Sequence, residues 1–86
     1  MISGKTQSGF EYAIEEAALN DYEILELMAK IRKDDVFAIF ELIEKLLGEE
    51  QKDRLKEHCR VDGRVPIEAM NAEIVDIFTD AKVKKS

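Results

Sequence analysis

DVFAIFELIEKLL, which runs from Asp35 to Leu47, is the stretch of this chain that decides its fold. At about 100° per residue, its large apolar side chains cover roughly 220° of a helix circumference. A helix that buries a single face needs an apolar stripe only a little over about 100° wide. We therefore predict a helix over 35–47 that contacts neighbours on two sides, either at the centre of a small bundle or in a core that continues into a partner.

Hydrophobic periodicity predicts three more helices around this one. The four predicted helices cover 21–33, 35–47, 49–60 and 67–82. Asn20 is a favourable N-cap for the first, either Asp34 or Asp35 can cap the second, and Gly48 is suited to end it. The third offers apolar area only at Leu55 and Cys59, so it should mostly face water.

Residues 1–20 read as an N-terminal arm with a short strand. Phe10, Tyr12 and Ile14 alternate with Glu11, Ala13 and Glu15, which is the pattern of a half-buried strand. A strand needs a partner, and only the first six residues offer a weak one, so its pairing stays open. The expected fold class is mainly α, a small bundle of about four helices with a short N-terminal extended or β segment, in a single domain over 1–86.

Composition and charge narrow the possible partners. A domain of 86 residues buries a modest fraction of its surface, so we expect a homo-oligomer. The net charge of −6 repels nucleic acid and anionic lipid, and the longest apolar run, Val36 to Phe40, is far below the roughly 20 residues of a membrane span. Neither partner is expected. A lone Cys59 and the lack of a secretory signal pattern predict a cytoplasmic protein.

Motifs that carry chemistry are sparse. Ser3-Gly4-Lys5-Thr6 matches only the end of a phosphate-binding loop, without its earlier glycine or leading strand. His58 and Cys59 point about 100° apart on a helix and would need further ligands to hold zinc. A serine nucleophile would need His58 beside Ser3, Ser8 or Ser86. We therefore expect no catalytic residue, no metal site and no cofactor, and hence no enzyme.

Several short motifs follow one another in a particular order. They are Gly4-Lys5-Thr6, Ser8-Gly9-Phe10-Glu11-Tyr12, Asn20-Asp21-Tyr22-Glu23-Ile24-Leu25-Glu26, Leu46-Leu47-Gly48-Glu49-Glu50-Gln51 and Asp62-Gly63-Arg64-Val65-Pro66. In this order, over roughly residues 3 to 80, the chain resembles the small tail assembly chaperones of long-tailed phages and prophages of Gram-positive bacteria.

The resemblance implies a mostly helical, non-catalytic protein that binds the tape-measure protein during tail assembly. Such a chaperone keeps that long chain soluble and helps recruit the tail-tube protein, whose polymerisation displaces it. It would act in the bacterial host cytoplasm and would be absent from the mature virion. The family supplies no catalytic residues to carry over.

The residues predicted to bind a partner come from the edges of the broad apolar stripe. Phe37 lies at one edge, and Leu42 and Leu46 lie at the other. An alternative function is a helical protein-binding adaptor or regulator unrelated to tail assembly. Neighbouring genes for a major tail protein upstream and a tape-measure protein downstream would favour the chaperone.

Overall fold

The computed structural model describes residues 1–85, in which a two-stranded antiparallel sheet packs against three α-helices. The elements, in chain order, are β1 (Ile2–Lys5), β2 (Glu11–Ile14), a short 3-10 helix (Glu16–Asn20), α1 (Tyr22–Arg32), α2 (Ala38–Cys59) and α3 (Ile67–Lys85). The mainly helical fold class with an N-terminal β segment is confirmed. Within residues 1–85, no helix combines the length and the apolar character needed to cross a membrane.

The expected number of helices is wrong by one, because the predicted second and third helices form the single helix α2. Gly48 alone interrupts it, with φ 80° and ψ 171°, and helix continues on both sides. A single glycine in this conformation can redirect a helix axis without a loop, because it lacks the Cβ that makes the conformation costly. Helix α2 is therefore kinked into a first arm before Gly48 and a second arm after it.

The turn between α1 and α2 is longer than predicted. Asp34, two residues after the end of α1, has a left-handed backbone conformation with φ 69°. The chain therefore leaves the helical path at this residue. The prediction that Asp34 or Asp35 is the N-cap of α2 is wrong. Phe37 occupies that position and makes no side-chain capping bond. The N-cap of α1 is Asp21 and not the predicted Asn20, which ends the preceding 3-10 helix; Asp21 accepts a hydrogen bond from the backbone N–H of Glu23 at 2.9 Å. Phe37 consequently stands in a turn at the head of α2.

The N-terminal arm is a β-hairpin, which answers the open question of strand pairing. Ile2 pairs with Ile14 and Lys5 with Glu11 in an antiparallel register. Tyr12 and Ile14 are buried while Glu11 is exposed, as the alternation predicts. The hairpin packs against α3 through β1 and against α2 through β2.

The core takes side chains from the hairpin and from all three helices. Its most deeply buried large side chains are Ile14, Ile24, Leu42, Leu55, Ile74 and Ile77. Helix α2 contacts α1, α3 and β2, so the breadth of its apolar stripe is matched by several neighbours within one copy of the chain. Leu55 and Cys59 are the buried residues of its second arm, as the sequence predicts.

Candidate functional site, an apolar groove beside the kink of α2

An apolar groove lies where the kink of α2 opens towards the start of α3. Phe37 and Phe40 line it from the head of α2, Lys52 and Lys56 from the second arm, and Ile67 from the first turn of α3. Its volume is about 390 Å³. Pockets that accept small molecules run from about 300 to 1,000 Å³, so this groove has room for a few side chains.

Large apolar side chains in the groove are open to solvent. Phe37 is 76% exposed, Phe40 67% and Ile67 61%. Single exposed apolar residues are common on proteins, but a group of them around one concavity is typical of a binding surface. The groove is therefore the strongest candidate for a partner-binding site on this chain.

The three predicted partner-binding residues are divided by the structure. Phe37 lines the groove, whereas Leu42 is 0% exposed and Leu46 5% exposed, and both belong to the core. The core encloses Leu42 and Leu46, so in this conformation their side chains are not accessible to a partner. Partner contact by Leu42 and Leu46 stays an untested prediction, while the accessible edge of the stripe is formed by Phe37 and Phe40.

Sequence reasoning missed Phe40, Val36 and Ile67 as members of the site. All three line the groove. Phe40 and Val36 belong to the same apolar run as Phe37, so the unusual width of the apolar stripe over 35–47 did contain a signal for them. Ile67 is an apolar residue at the start of the helix predicted over 67–82, and no pattern along the chain indicates that its side chain faces solvent.

The second arm of α2 gives the groove a basic wall. Lys52 Nζ lies 3.3 Å from Glu44 Oε1 and 3.8 Å from Glu49 Oε1. The hydrogen bond to Glu44 raises the pKa of Lys52 above its usual value. Lys56 is exposed one turn further along the same wall, and it forms no ion pair or hydrogen bond with any residue in the described range. The groove therefore combines an apolar floor with one free ammonium group.

The kink that shapes the groove is braced by Gln51. Its Nε2 donates to the carbonyl oxygen of Leu47 at 2.8 Å and to that of Ala13 at 2.7 Å. The backbone N–H of Ala13 donates in return to Gln51 Oε1 at 2.7 Å. One side chain thus ties the residue before Gly48 to strand β2.

Ser8 and His58, which the sequence separates by 50 positions, meet in the structure. Ser8 Oγ lies 2.8 Å from His58 Nε2 and donates its proton to Glu73 Oε2, also at 2.8 Å. A hydroxyl has one proton to donate, so His58 Nε2 must carry the hydrogen of its own bond to Ser8. In this state His58 cannot accept the proton of Ser8, which is what a serine nucleophile requires.

Helix α3 holds the hairpin with a row of carboxylates. The buried Glu73 accepts hydrogen bonds from Ser8 and, at 2.8 Å, from Thr6 Oγ1. Asp76 accepts from the backbone N–H of Gln7 at 2.7 Å. The row Glu73, Asp76 and Asp80 follows helical spacing, and each member is occupied by the hairpin, so these acids have a structural role.

The last member of this row, Asp80, accepts a hydrogen bond from the Tyr12 hydroxyl at 2.6 Å. Burial of the phenol raises the pKa of Tyr12 above its usual range, and the bond to Asp80 raises it further. The backbone of Gly4 comes very close here, since a Cβ on it would lie 2.5 Å from Asp80 Oδ2. A side chain at position 4 would have to displace the ends of the Asp80 and Tyr12 side chains and would disturb this hydrogen bond.

The remaining sequence candidates have ordinary structural places. Ser3 to Lys5 of the phosphate-loop match lie in β1 and are not followed by a helix. Burial raises the pKa of the Cys59 thiol, and the charge of Glu73 adds to the effect. Among residues 1–85, no three or more histidine, cysteine, aspartate or glutamate side chains are grouped to hold a metal ion.

Comparison of this chain with protein-family models, with curated proteins and with solved structures finds no match. No relative therefore contributes residues to the site. The groove is assigned from its own geometry, exposure and charge.

Proposed function

We propose that this protein is a non-catalytic tail assembly chaperone that holds segments of the tape-measure protein in the groove and helps recruit the tail-tube protein. The observation that carries the proposal is the open exposure of Phe37 and Phe40 beside Ile67 in one concavity. The ordered motifs over roughly residues 3 to 80 supply the choice of client.

The size of the groove suits a client that must be bound and later released. Burying one phenylalanine or isoleucine side chain contributes about 1.5–3 kcal/mol, so Phe37, Phe40 and Ile67 together offer several kcal/mol. Much of this is offset by the loss of translational and rotational freedom on association. One groove therefore binds weakly and reversibly, and many copies along one client would hold it firmly.

The charge of the protein supports the same role. A net charge of −6 makes complexes repel one another and keeps an apolar client dispersed. Release by competing tail-tube subunits needs only exchange of contacts, without a covalent step. The hydroxyl of Ser8 has a structural role that agrees with this proposal, because its hydrogen bond to Glu73 links the hairpin to α3.

The same groove would serve a helical adaptor or regulator with a different partner. Coexpression separates the two functions: the chain is produced together with a tape-measure protein of a long-tailed phage, and the complex is isolated and its mass measured. The chaperone predicts a soluble complex with several copies per client. A tape-measure protein that stays insoluble, or that is recovered without this chain, would contradict the proposal.

Matched variants connect that experiment to the groove. Phe40→Asp should abolish recovery of the client, because it places a charge in the apolar floor. Leu25→Asp is the control, since Leu25 is 59% exposed and lies outside the groove. Equal loss in both variants would mean that the groove is not the binding site. The mass of the free protein also tests the proposed homo-oligomer.

A further inference from the structure

We infer that the groove selects an amphipathic helical segment that carries one acidic side chain beside its apolar stripe. Lys56 would bind that carboxylate. The inference rests on the proposed function, because it specifies the chemistry of the client that the same groove receives.

The lining of the groove favours a helix over an extended peptide. Its lining residues come from α2, from α3 and from the turns before them, and none comes from β1 or β2. A segment bound as an added β-strand would need backbone partners from a strand edge, which this surface does not offer. A helix satisfies its own backbone hydrogen bonds and presents only side chains.

The charges of the groove favour an acid at one position of that helix. Lys52 is already held by Glu44 and Glu49. Lys56 lines the groove with a free ammonium group, one turn along the same arm. A client carboxylate placed there would form an ion pair with Lys56. The apolar contact beside this ion pair would shield it from water.

Other charges of the chain limit how acidic the client can be. Glu44 also lines the groove, so a second client acid placed near it would be repelled. The net charge of −6 disfavours a strongly acidic client at long range. The expected segment therefore has a single acidic position in an otherwise neutral or basic helix.

Three synthetic helical peptides of one length test the inference. They share a leucine stripe at i, i+3 and i+7 and differ at one flanking position, which is Glu, Gln or Lys. Fluorescence anisotropy measures their affinity for the wild-type chain, for Lys56→Glu and for Lys33→Glu, an exposed lysine outside the groove. We expect the wild type and Lys33→Glu to bind the Glu peptide about threefold to tenfold more tightly than the Lys peptide, and Lys56→Glu to reverse this order.

The other outcomes overturn the inference and are distinguishable from failure of the proposed function. The three peptides could bind with equal affinity, and this binding could be lost in Phe40→Asp. The groove would then be a binding site that does not select a client by its charge. Absence of binding by every peptide, together with a dimer that Phe40→Asp dissociates, would make a second copy the occupant. Absence of binding by a monomer would exclude a helical client from this groove. Coexpression with the tape-measure protein reports on the function independently.

Discussion

Gln51 and Ala13 are joined by two hydrogen bonds of 2.7 Å, one in each direction between the side-chain amide and the strand backbone. The amide of Gln51 thus takes the place of a neighbouring strand at the edge of β2. Because Gln51 also binds the carbonyl of Leu47, this one side chain links the hairpin to the kink of α2. That link spans Gly48, where the two arms of α2 meet.

Replacing Gln51 by alanine should lower the free energy of unfolding by about 1–3 kcal/mol, since the partly buried backbone groups of Ala13 lose their partner. Urea denaturation followed by circular dichroism measures the change. Gln7→Ala is the matched control, because Gln7 is exposed and forms its bond to Asp76 through its backbone N–H. Equal stability of the two variants would show that the Gln51 bonds contribute little.

Phe37→Asp and Leu42→Asp should differ sharply in stability, although Phe37 and Leu42 are both predicted partner-binding residues. Leu42 is fully buried, so a charge there should cost more than about 3 kcal/mol and leave most of the protein unfolded. Phe37 is exposed at the N-terminus of α2, where its backbone is helical and the helix dipole favours a negative charge, so stability should stay within about 0.5 kcal/mol or rise. Thermal denaturation checks both, and a folded Leu42→Asp variant would contradict the assigned core.

The alkaline stability of the protein should depend on Tyr12. Its pKa is raised by burial and by the bond to Asp80, so the folded state holds the phenol proton more tightly than the unfolded state does. The stabilisation is present below about pH 10, the usual pKa of tyrosine, and is lost by at most about 1.4 kcal/mol per pH unit above it. Tyr12→Phe should lose less stability between about pH 10 and 12 than the wild type.

Tyr22→Phe serves as the control for that measurement, because Tyr22 is the other tyrosine and is exposed. Its unfolding free energy should follow the wild-type dependence on pH. Identical slopes for Tyr12→Phe and the wild type would show that the Tyr12 phenol does not govern the alkaline loss.

Gly48→Ala should lower stability by about 1–3 kcal/mol through backbone strain alone. The φ and ψ of Gly48 are open to glycine and costly for other residues, yet no atom beyond the adjoining helix backbone lies within 4 Å of the added Cβ, so no clash with a neighbouring element contributes. The neighbouring exposed Glu50→Ala is the control. Unfolding in urea measures the cost, and an unchanged free energy would mean that the kink needs no glycine.

Much of the fold could be predicted from local patterns. The stripe of 35–47, the alternation from Phe10 to Ile14 and the paired apolar residues Leu55 and Cys59 each match a buried face in the structure. The number of helices could not be predicted in this way, because Gly48 is equally suited to end a helix or to kink one. The capping of α2 was also wrong, since Asp34 adopts a left-handed conformation that its sequence neighbours do not impose.

The candidate site was less predictable than the fold. The width of the stripe indicated that α2 has apolar surface beyond one face, but Leu42, Leu46 and Phe37 look alike in that respect. The structure covers the two leucines and leaves Phe37 beside Phe40 and Ile67. Lys56 is one of several charged residues between 49 and 60, and their order does not mark it as a lysine that lines the groove without a partner among residues 1–85.

The sequence by itself determined which segments are helical or extended and which of their faces are apolar, because periodicity is a property of neighbouring positions along the chain. Only the tertiary structure decided which apolar positions stay uncovered and that Lys56 lines the groove without an ion-pair partner in the described part of the chain. Those outcomes depend on α1, α3 and the hairpin arriving at α2 from distant parts of the chain, and on the kink at Gly48 that directs the two arms of α2.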